Sequence, residues 1–501
     1  MNLYTCFQFS DPEQPLFKRF ESSDISYGQV DAIIAQYCNW FASIGLQPGE
    51  RLVQILPKSL QGLYLYLASL RYGLIYVPLN PSFTDYEVQY FLEDAQPSLV
   101  VCETDRLAAL AELADSMGLS AQVVCLDDQR PDSIHHTINQ CACEFETQFV
   151  GVDTTACILY TSGTTGQPKG AMLSHGNLLA NGKSLSQFWQ FSEQDTLLHI
   201  LPIFHCHGLF FACHCVLLSG ASMIFLSQFD VDNVIDYLPW ASVVMGVPTH
   251  YTRLLADGRF DQNLTQSIRL FTSGSAPLQT TTFEAFEERT GQRILERYGM
   301  TETGINISNP VEGEHKPGTV GLPLPDVDIR LVDDSNQPVS EGQIGYIQVK
   351  GPNVFQGYWQ KHDKTQQVLT DDGYFCTGDL ARQAVESGYI SIVGRAKDMI
   401  ISGGMNIYPA EVEYVINQLP QIHESAVIGL SHHDWGETVV AVVILKDGSQ
   451  LNENDLIDYV KQHLASYKAP KAAYFRDTLP RNAMGKVQKH HLRQAYDSSN
   501  S

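Results

Sequence analysis

Twice along this 501-residue chain, short β-branched and apolar runs alternate with helical stretches, and that alternation leaves few folds open. Between residues 50 and 150 the order is RLVQIL, a helical GLYLYLASLRYG, LIYVPL, a helix over residues 85–94, then SLVVCE. From Cys157 to Arg297 the same grammar returns in SMIFL, SVVMG and IRLFT. Continuously apolar strands must be covered on both faces, so helix-covered parallel or mixed sheets are expected. Between Gly318 and Trp359 the runs shorten and alternate among Gly and Pro (VDIRLVDD, GYIQVKG), as in an antiparallel, barrel-like subdomain. After Gly394 come helix (YPAEVEYVINQL), strands (ESAVIGL, TVVAVVIL) and helix (ENDLIDYVKQHL), enough for a small α+β unit. The expected class is α/β: a large N-terminal domain over residues 1–394 and a small, mobile C-terminal domain over 395–501.

Composition excludes several functions. With 32 Lys+Arg against 56 Asp+Glu the net charge is −24, so no global field draws nucleic acid or anionic lipid, and phosphate must be held locally. The start, MNLYTCFQFSDPEQP, lacks the features of a signal or transit peptide, which points to a cytoplasmic protein. Residues 62–79 are the most membrane-like, yet Arg71 and two glycines make a buried helix leading into a strand the better reading. The 11 cysteines form no regular framework and suit a reducing compartment.

The segment richest in chemistry is Thr161-Ser162-Gly163-Thr164-Thr165-Gly166-Gln167-Pro168-Lys169-Gly170, set between the apolar run CILY and a helical stretch. Glycines let backbone N–H groups approach oxyanions, hydroxyls add donors and Lys169 supplies a point charge, so it reads as a phosphate loop. It lacks the Gly-Lys-Ser/Thr ending of a Walker loop. The cluster His205, Cys206, His207, Cys213, His214 and Cys215 has zinc-compatible residue types, but its x₁ spacings and apolar interior favour ordinary core packing.

The phosphate loop is followed in order by PIFHCHG (202–208), SGSAP (273–277), ERYGMTET (296–303), YFCTGD (374–379), GRAKDMIISGG (394–404) and PRNAMGK (480–486). In these motifs the chain resembles, over nearly its whole length, the adenylate-forming superfamily of acyl-CoA synthetases, luciferases and peptide-synthetase adenylation domains. The resemblance implies an acid–thiol ligase that uses ATP, Mg²⁺ and coenzyme A. It places Ser275, Ala276, Pro277, Tyr298 and Thr301 around the adenine and phosphates, and Asp379 and Arg395 on the ribose. Thr164 and Glu302 are implied to hold Mg²⁺, and Lys486 to bridge the carboxylate and the α-phosphate. By the same resemblance His205 is expected to gate the acyl and thiol tunnels, Lys397 to be the hinge, and Ser402, Gly403 and Gly404 to lie against the pantetheine arm.

For the acid, the stretch MGVPTHYTR puts Arg253 on a helix opened by Pro248, in the region lining the family's acyl pocket. A pocket arginine calls for a second carboxylate, which it can pair bidentately. PIFHCHGLF, MGVPTHYTRLL and KGPNVFQGYW resemble the malonyl-CoA synthetase branch, with Arg253 at its carboxylate arginine, Arg297 adding positive potential, and Ser273 beside them. The expected substrate is thus a small dicarboxylate, malonate or methylmalonate, with no nucleic-acid or membrane partner. The alternatives are another short, medium-chain or aromatic acid, a carrier-protein acceptor, an amino-acid adenylation enzyme, and a nucleotide-binding scaffold. An amino-acid enzyme would use an acid such as Asp230 or Asp232 in the pocket, but these read as a helix cap. A scaffold would have lost Lys486, Glu302 or Asp379, and all are present.

Overall fold

The computed structural model describes all residues except 8, 10, 21, 128–132, 162–167, 403–404, 433–434, 483–484 and 498–501. Among the described residues the strands form four sheets. A nine-stranded sheet has a parallel centre of Ile294–Met300, Leu270–Ser273, Val243–Gly246, Thr196–His199, Ser222–Phe225 and Pro15–Phe17. A seven-stranded sheet joins the parallel strands Ile75–Pro78, Arg51–Ile55, Leu99–Cys102 and Gln122–Cys125 to the antiparallel pair Thr155–Thr161 and Lys169–Ser174. The third sheet is antiparallel, from Asp328–Val332 to Ile390–Arg395, and the fourth lies wholly beyond Met399. These are the mixed, helix-covered sheets the alternating pattern calls for.

The membrane-like stretch shows how the sequence sets its own structure. Ser59 caps helix Leu60–Tyr72 by accepting from the Gly62 amide, and Gly73 ends it at φ 84°, a conformation glycine adopts without strain. Every residue from Gly62 to Tyr72 is buried, and the chain turns directly into strand Ile75–Pro78. Arg71 is tolerated inside because its guanidinium meets the Asp31 carboxylate at 3.2 Å and the Phe145 carbonyl at 2.7 Å. Among the described residues no helix is long and apolar enough to cross a membrane.

One apolar cluster surrounds Phe41, Tyr66 and Trp189, a second Tyr251, Phe271 and Phe286, while Val412, Ile416, Val427, Val443 and Leu456 form a separate core. Trp189 is fully buried and donates its indole N–H to the Ser308 hydroxyl at 3.0 Å. Trp189→Ala leaves a large void and removes the donor to the buried Ser308 hydroxyl, and is expected to lower the unfolding free energy by about 3–5 kcal/mol. Urea denaturation reads this directly, and a loss below about 1 kcal/mol would show that the site collapses around the cavity.

Candidate active site

The predicted phosphate loop lies between two antiparallel strands rather than a strand and a helix, Thr161 pairing with Lys169. Helix His175–Phe188 begins only after the second strand, capped by Ser174. Ser162, Gly163, Thr164, Thr165 and Gly166, five of the predicted ATP ligands, lie outside the described residues, as do Gly403 and Gly404. Thr161 and Lys169 flank the loop. Lys169 holds its ammonium 4.3 Å from the Tyr358 ring centre, and burial lowers its pKa against the opposing pull of Glu302.

The residues assigned to nucleotide and metal fall into two buried knots. Asp379 and Arg395 are paired across adjacent strands, with the guanidinium Nε 2.6 Å from the carboxylate, and the Tyr298 hydroxyl donates to the same carboxylate at 2.6 Å. Asp379 is thereby fixed, with lone pairs left for further donors. Glu302 is 5% exposed, and its carboxylate accepts from the Tyr358 hydroxyl at 2.9 Å. Burial raises its pKa despite its hydrogen bonds and the nearby Arg395 and Lys169. A buried carboxylate with no ion pair among the described residues suits a hard divalent cation. Tyr358, which braces Glu302 and covers Lys169, is a residue the motif reading missed although GYW was in view.

The acyl side is cationic. Strand Leu270–Ser273 ends in a turn where Ser275 takes φ 69°, an unusual value for a non-glycine residue, and its hydroxyl lies 3.3 Å from His207 Nδ1. Ala276 and Pro277 continue that turn, Ser273 is buried, and Thr301 follows the strand that carries Tyr298. Arg297 is 5% exposed, its Nε and Nη2 find no acceptor among the described residues, and burial lowers its pKa to about 10. Its guanidinium is packed so tightly under Gly274 that a Cβ there would stand 2.4 Å from it, and Phe211 lies 5.5 Å away. His205 stands close enough that burial, then Arg297, lowers its pKa to about 4, leaving it neutral at pH 7.

Arg253 corrects an expectation. Helix Pro248–Leu255 turns Tyr251 and Leu254 into the core, and that spacing leaves Arg253 exposed, its guanidinium 6.0 Å from the Phe229 ring centre. The description of a buried cation lacking a carboxylate belongs to Arg297. Asp230 caps helix Val231–Tyr237 by accepting from the Asn233 amide at 3.0 Å, as its sequence context predicts. In the His/Cys cluster, His214 Nε2 meets the Tyr66 hydroxyl at 2.8 Å and Cys213 donates to the Gly208 carbonyl at 3.2 Å, so these side chains diverge. Among the described residues no group of three or more metal-ligating side chains is placed to hold an ion.

Lys486 comes near the Asp379–Arg395 pair. Gly485 leans on Thr249 of helix Pro248–Leu255, 3.3 Å from where its Cβ would be, and the Lys486 amide donates to Asn482 Oδ1 at 2.9 Å. Lys486 keeps an exposed surface, but the protein crowded around it, then Arg395, pushes its pKa down, while Asp379 and Asp398 oppose. Lys397 is exposed in the turn Ala396–Asp398, and Ser402 is buried at the end of strand Ile400–Ser402.

A chain that carries the Asp379–Arg395–Tyr298 knot, the buried Glu302 carboxylate and the presented Lys486 is matched by family comparison: the profile described as AMP-binding enzyme covers residues 9–359, and its C-terminal domain covers 411–486. The chain belongs to the AMP-binding enzyme family. A feruloyl-CoA synthase of Amycolatopsis is 34% identical over 95% of both chains. The mitochondrial malonate–CoA ligase of Xenopus laevis is 35% identical over 84% of this chain and 78% of its own. The crystal structure of ATP-bound MatB from Rhodopseudomonas palustris superposes with a TM-score of 0.97 at 44% identity, covering 100% of this chain and 99% of that one. The crystal structure of apo MatB from the same organism superposes with a TM-score of 0.86 over 100% of this chain and 99% of that one. Family members of near-equal identity are named for different acids, so the acid has to be read from the pocket.

Proposed function

We propose that the protein is a malonyl-CoA synthetase, joining malonate, or methylmalonate, to coenzyme A through an acyl-adenylate with release of pyrophosphate and AMP. The observation that carries this reading is Arg297, a buried guanidinium without a carboxylate partner beside Ser275 and His205. Burying an unpaired cation costs several kcal/mol, and a dicarboxylate removes that cost by presenting its second carboxylate. The similarity to a malonate–CoA ligase supports it. Arg253 is assigned to the outer end of the same acid site. Feruloyl-CoA synthase marks the competing reading of an aromatic acid.

In this reading the substrate's other carboxylate attacks the α-phosphorus of ATP and pyrophosphate leaves. Lys486 bridges the two anions and offsets charge as the new bond forms. Asp379 with Arg395 orients the ribose, Tyr298 and Ser275-Ala276-Pro277 hold the adenine, and Lys169 with the 161–166 loop and Thr301 hold the phosphates. Glu302 and Thr164 would hold Mg²⁺, which supplies charge neutralisation on the phosphates. Then the small domain, residues 395–501, turns about Lys397 on the large domain, residues 1–394. Ser402, Gly403 and Gly404 admit the pantetheine arm past His205. The thiol sulfur attacks the acyl carbon, its proton leaves to solvent, and AMP departs.

The test is pyrophosphate release with ATP, Mg²⁺ and coenzyme A across malonate, methylmalonate, succinate, acetate, octanoate and coumarate, for wild type and Arg253→Ala. Malonate or methylmalonate should give the highest kcat/KM, with the mutant losing about tenfold through KM, as expected for an exposed charge pair. Coumarate or octanoate ahead of malonate would refute the dicarboxylate assignment.

A further inference from the structure

One helix of the large domain, Asp85–Ala95, is tied to the phosphate loop although it contains no residue assigned to the reaction. Its start is fixed by a capping box, the Thr84 hydroxyl accepting from the Glu87 amide. Tyr90 and Asp94, four residues apart, lie on one face of it. The Tyr90 hydroxyl donates to the Pro168 carbonyl at 2.6 Å, and the Tyr160 hydroxyl donates to Asp94 Oδ2 at 2.7 Å. These two bonds therefore hold the chain on either side of residues 162–167. Lys361 closes the arrangement, its ammonium donating to Tyr90 Oη at 2.9 Å and to Asp94 Oδ1 at 3.1 Å. Two residues earlier, Trp359 donates its indole N–H to the Asp94 carbonyl at 3.0 Å and its amide to the Gly170 carbonyl at 2.7 Å.

Stability alone does not account for this cluster. The Phe91 ring already packs on Tyr160 at 4.7 Å, and the Lys361 and Asp94 side chains are only 23% and 13% exposed. A mostly buried ion pair offsets little beyond its own desolvation, so apolar side chains would hold the helix to the sheet as well. What the polar groups add is direction, because each bond fixes a donor against an acceptor. The segment between the two flanks is Ser162-Gly163-Thr164-Thr165-Gly166-Gln167, and a glycine-rich segment costs less entropy to order around a ligand when its ends are already set. With the nucleoside assigned to the Asp379–Arg395–Tyr298 knot and the α-phosphorus to Lys486, the loop and Lys169 are left with the two phosphates that depart as pyrophosphate.

We propose that Tyr90, Asp94 and Lys361 are positioning residues of the adenylation half-reaction, a bracket that holds both flanks of the phosphate loop in place for the pyrophosphate portion of ATP. The assignment rests on the loop holding that portion, as proposed above. It deepens that reading by naming what fixes the loop.

The KM for ATP is measured in thioester formation with whichever acid of the panel above turns over fastest, together with the inhibition constants of pyrophosphate and of AMP, which lacks the pyrophosphate portion. In Tyr90→Phe the KM for ATP and the inhibition constant of pyrophosphate should rise together about three- to tenfold, the size of one hydrogen bond, while inhibition by AMP and the urea midpoint move little. Asp94→Asn, which loses the ion pair with Lys361, should show the same split at larger size. Equal weakening of ATP, pyrophosphate and AMP with a lowered urea midpoint would overturn the assignment and make the cluster a structural prop. Wild-type constants in both variants, while Lys169→Ala weakens pyrophosphate, would also overturn it and leave the loop reading standing. Unchanged pyrophosphate inhibition in Lys169→Ala would instead sink the loop reading and the bracket together. Should Asp94→Asn impair folding, Tyr90→Phe, which keeps the ring, decides alone.

Discussion

Lys486→Ala should lower malonate-dependent pyrophosphate release by about a hundred- to a thousandfold with little change in KM for ATP, because a group acting on developing charge contributes to the transition state rather than to binding. Lys486 sits on a turn propped against Thr249, with its charge felt by the Arg395–Asp379 pair. The same variant, given pre-formed malonyl-adenylate, should still make the thioester at close to the wild-type rate, since in the proposed mechanism Lys486 acts only on the bond to the α-phosphorus. Equal loss in both halves would show that the substitution had damaged the domain. Retention of adenylation would remove Lys486 from the chemistry.

Arg297→Met should move stability and activity in opposite directions. The guanidinium is enclosed beneath Gly274 and against Phe211 with two nitrogens lacking acceptors, so replacing it with an apolar side chain of similar length removes an uncompensated charge. The unliganded protein should gain about 1–4 kcal/mol, read from the urea midpoint. Malonate use should fall in kcat/KM by about 3–5 kcal/mol of transition-state binding, or roughly a hundred- to several-thousandfold, because one carboxylate would then be buried without a partner. Acetate, with no second carboxylate, should lose far less. Lower stability together with unchanged malonate turnover would mean that Arg297 is a structural residue.

Much of this was legible in the sequence. The buried course of residues 62–79 follows from Ser59, Gly73 and the apolar run between them, and the cap at Asp230 from its place before a helical stretch. The motif order puts Asp379 and Arg395 on one ribose, but their ion pair across adjacent strands is a tertiary fact. Other features depend on partners far along the chain. The antiparallel pair Thr155–Thr161 and Lys169–Ser174 is extended by strand Gly357–Tyr358, which no local propensity announces. Arg253 and Arg297 look alike as letters, but Tyr251 and Leu254 commit one helix face to the core and leave Arg253 outside, a spacing visible in the sequence. The burial of Arg297 arises from the closeness of Gly274 and Phe211, which only the assembled sheet brings about.

The most direct measurement is a competition. The enzyme is given ATP, Mg²⁺ and coenzyme A with malonate, methylmalonate, acetate, octanoate and ferulate at equal concentration, and the thioesters formed are identified by mass spectrometry. Malonyl-CoA, with methylmalonyl-CoA second or comparable, should dominate at early times. A product mixture led by feruloyl-CoA or octanoyl-CoA would contradict the assignment of the buried Arg297 to a substrate carboxylate, and with it the proposed function.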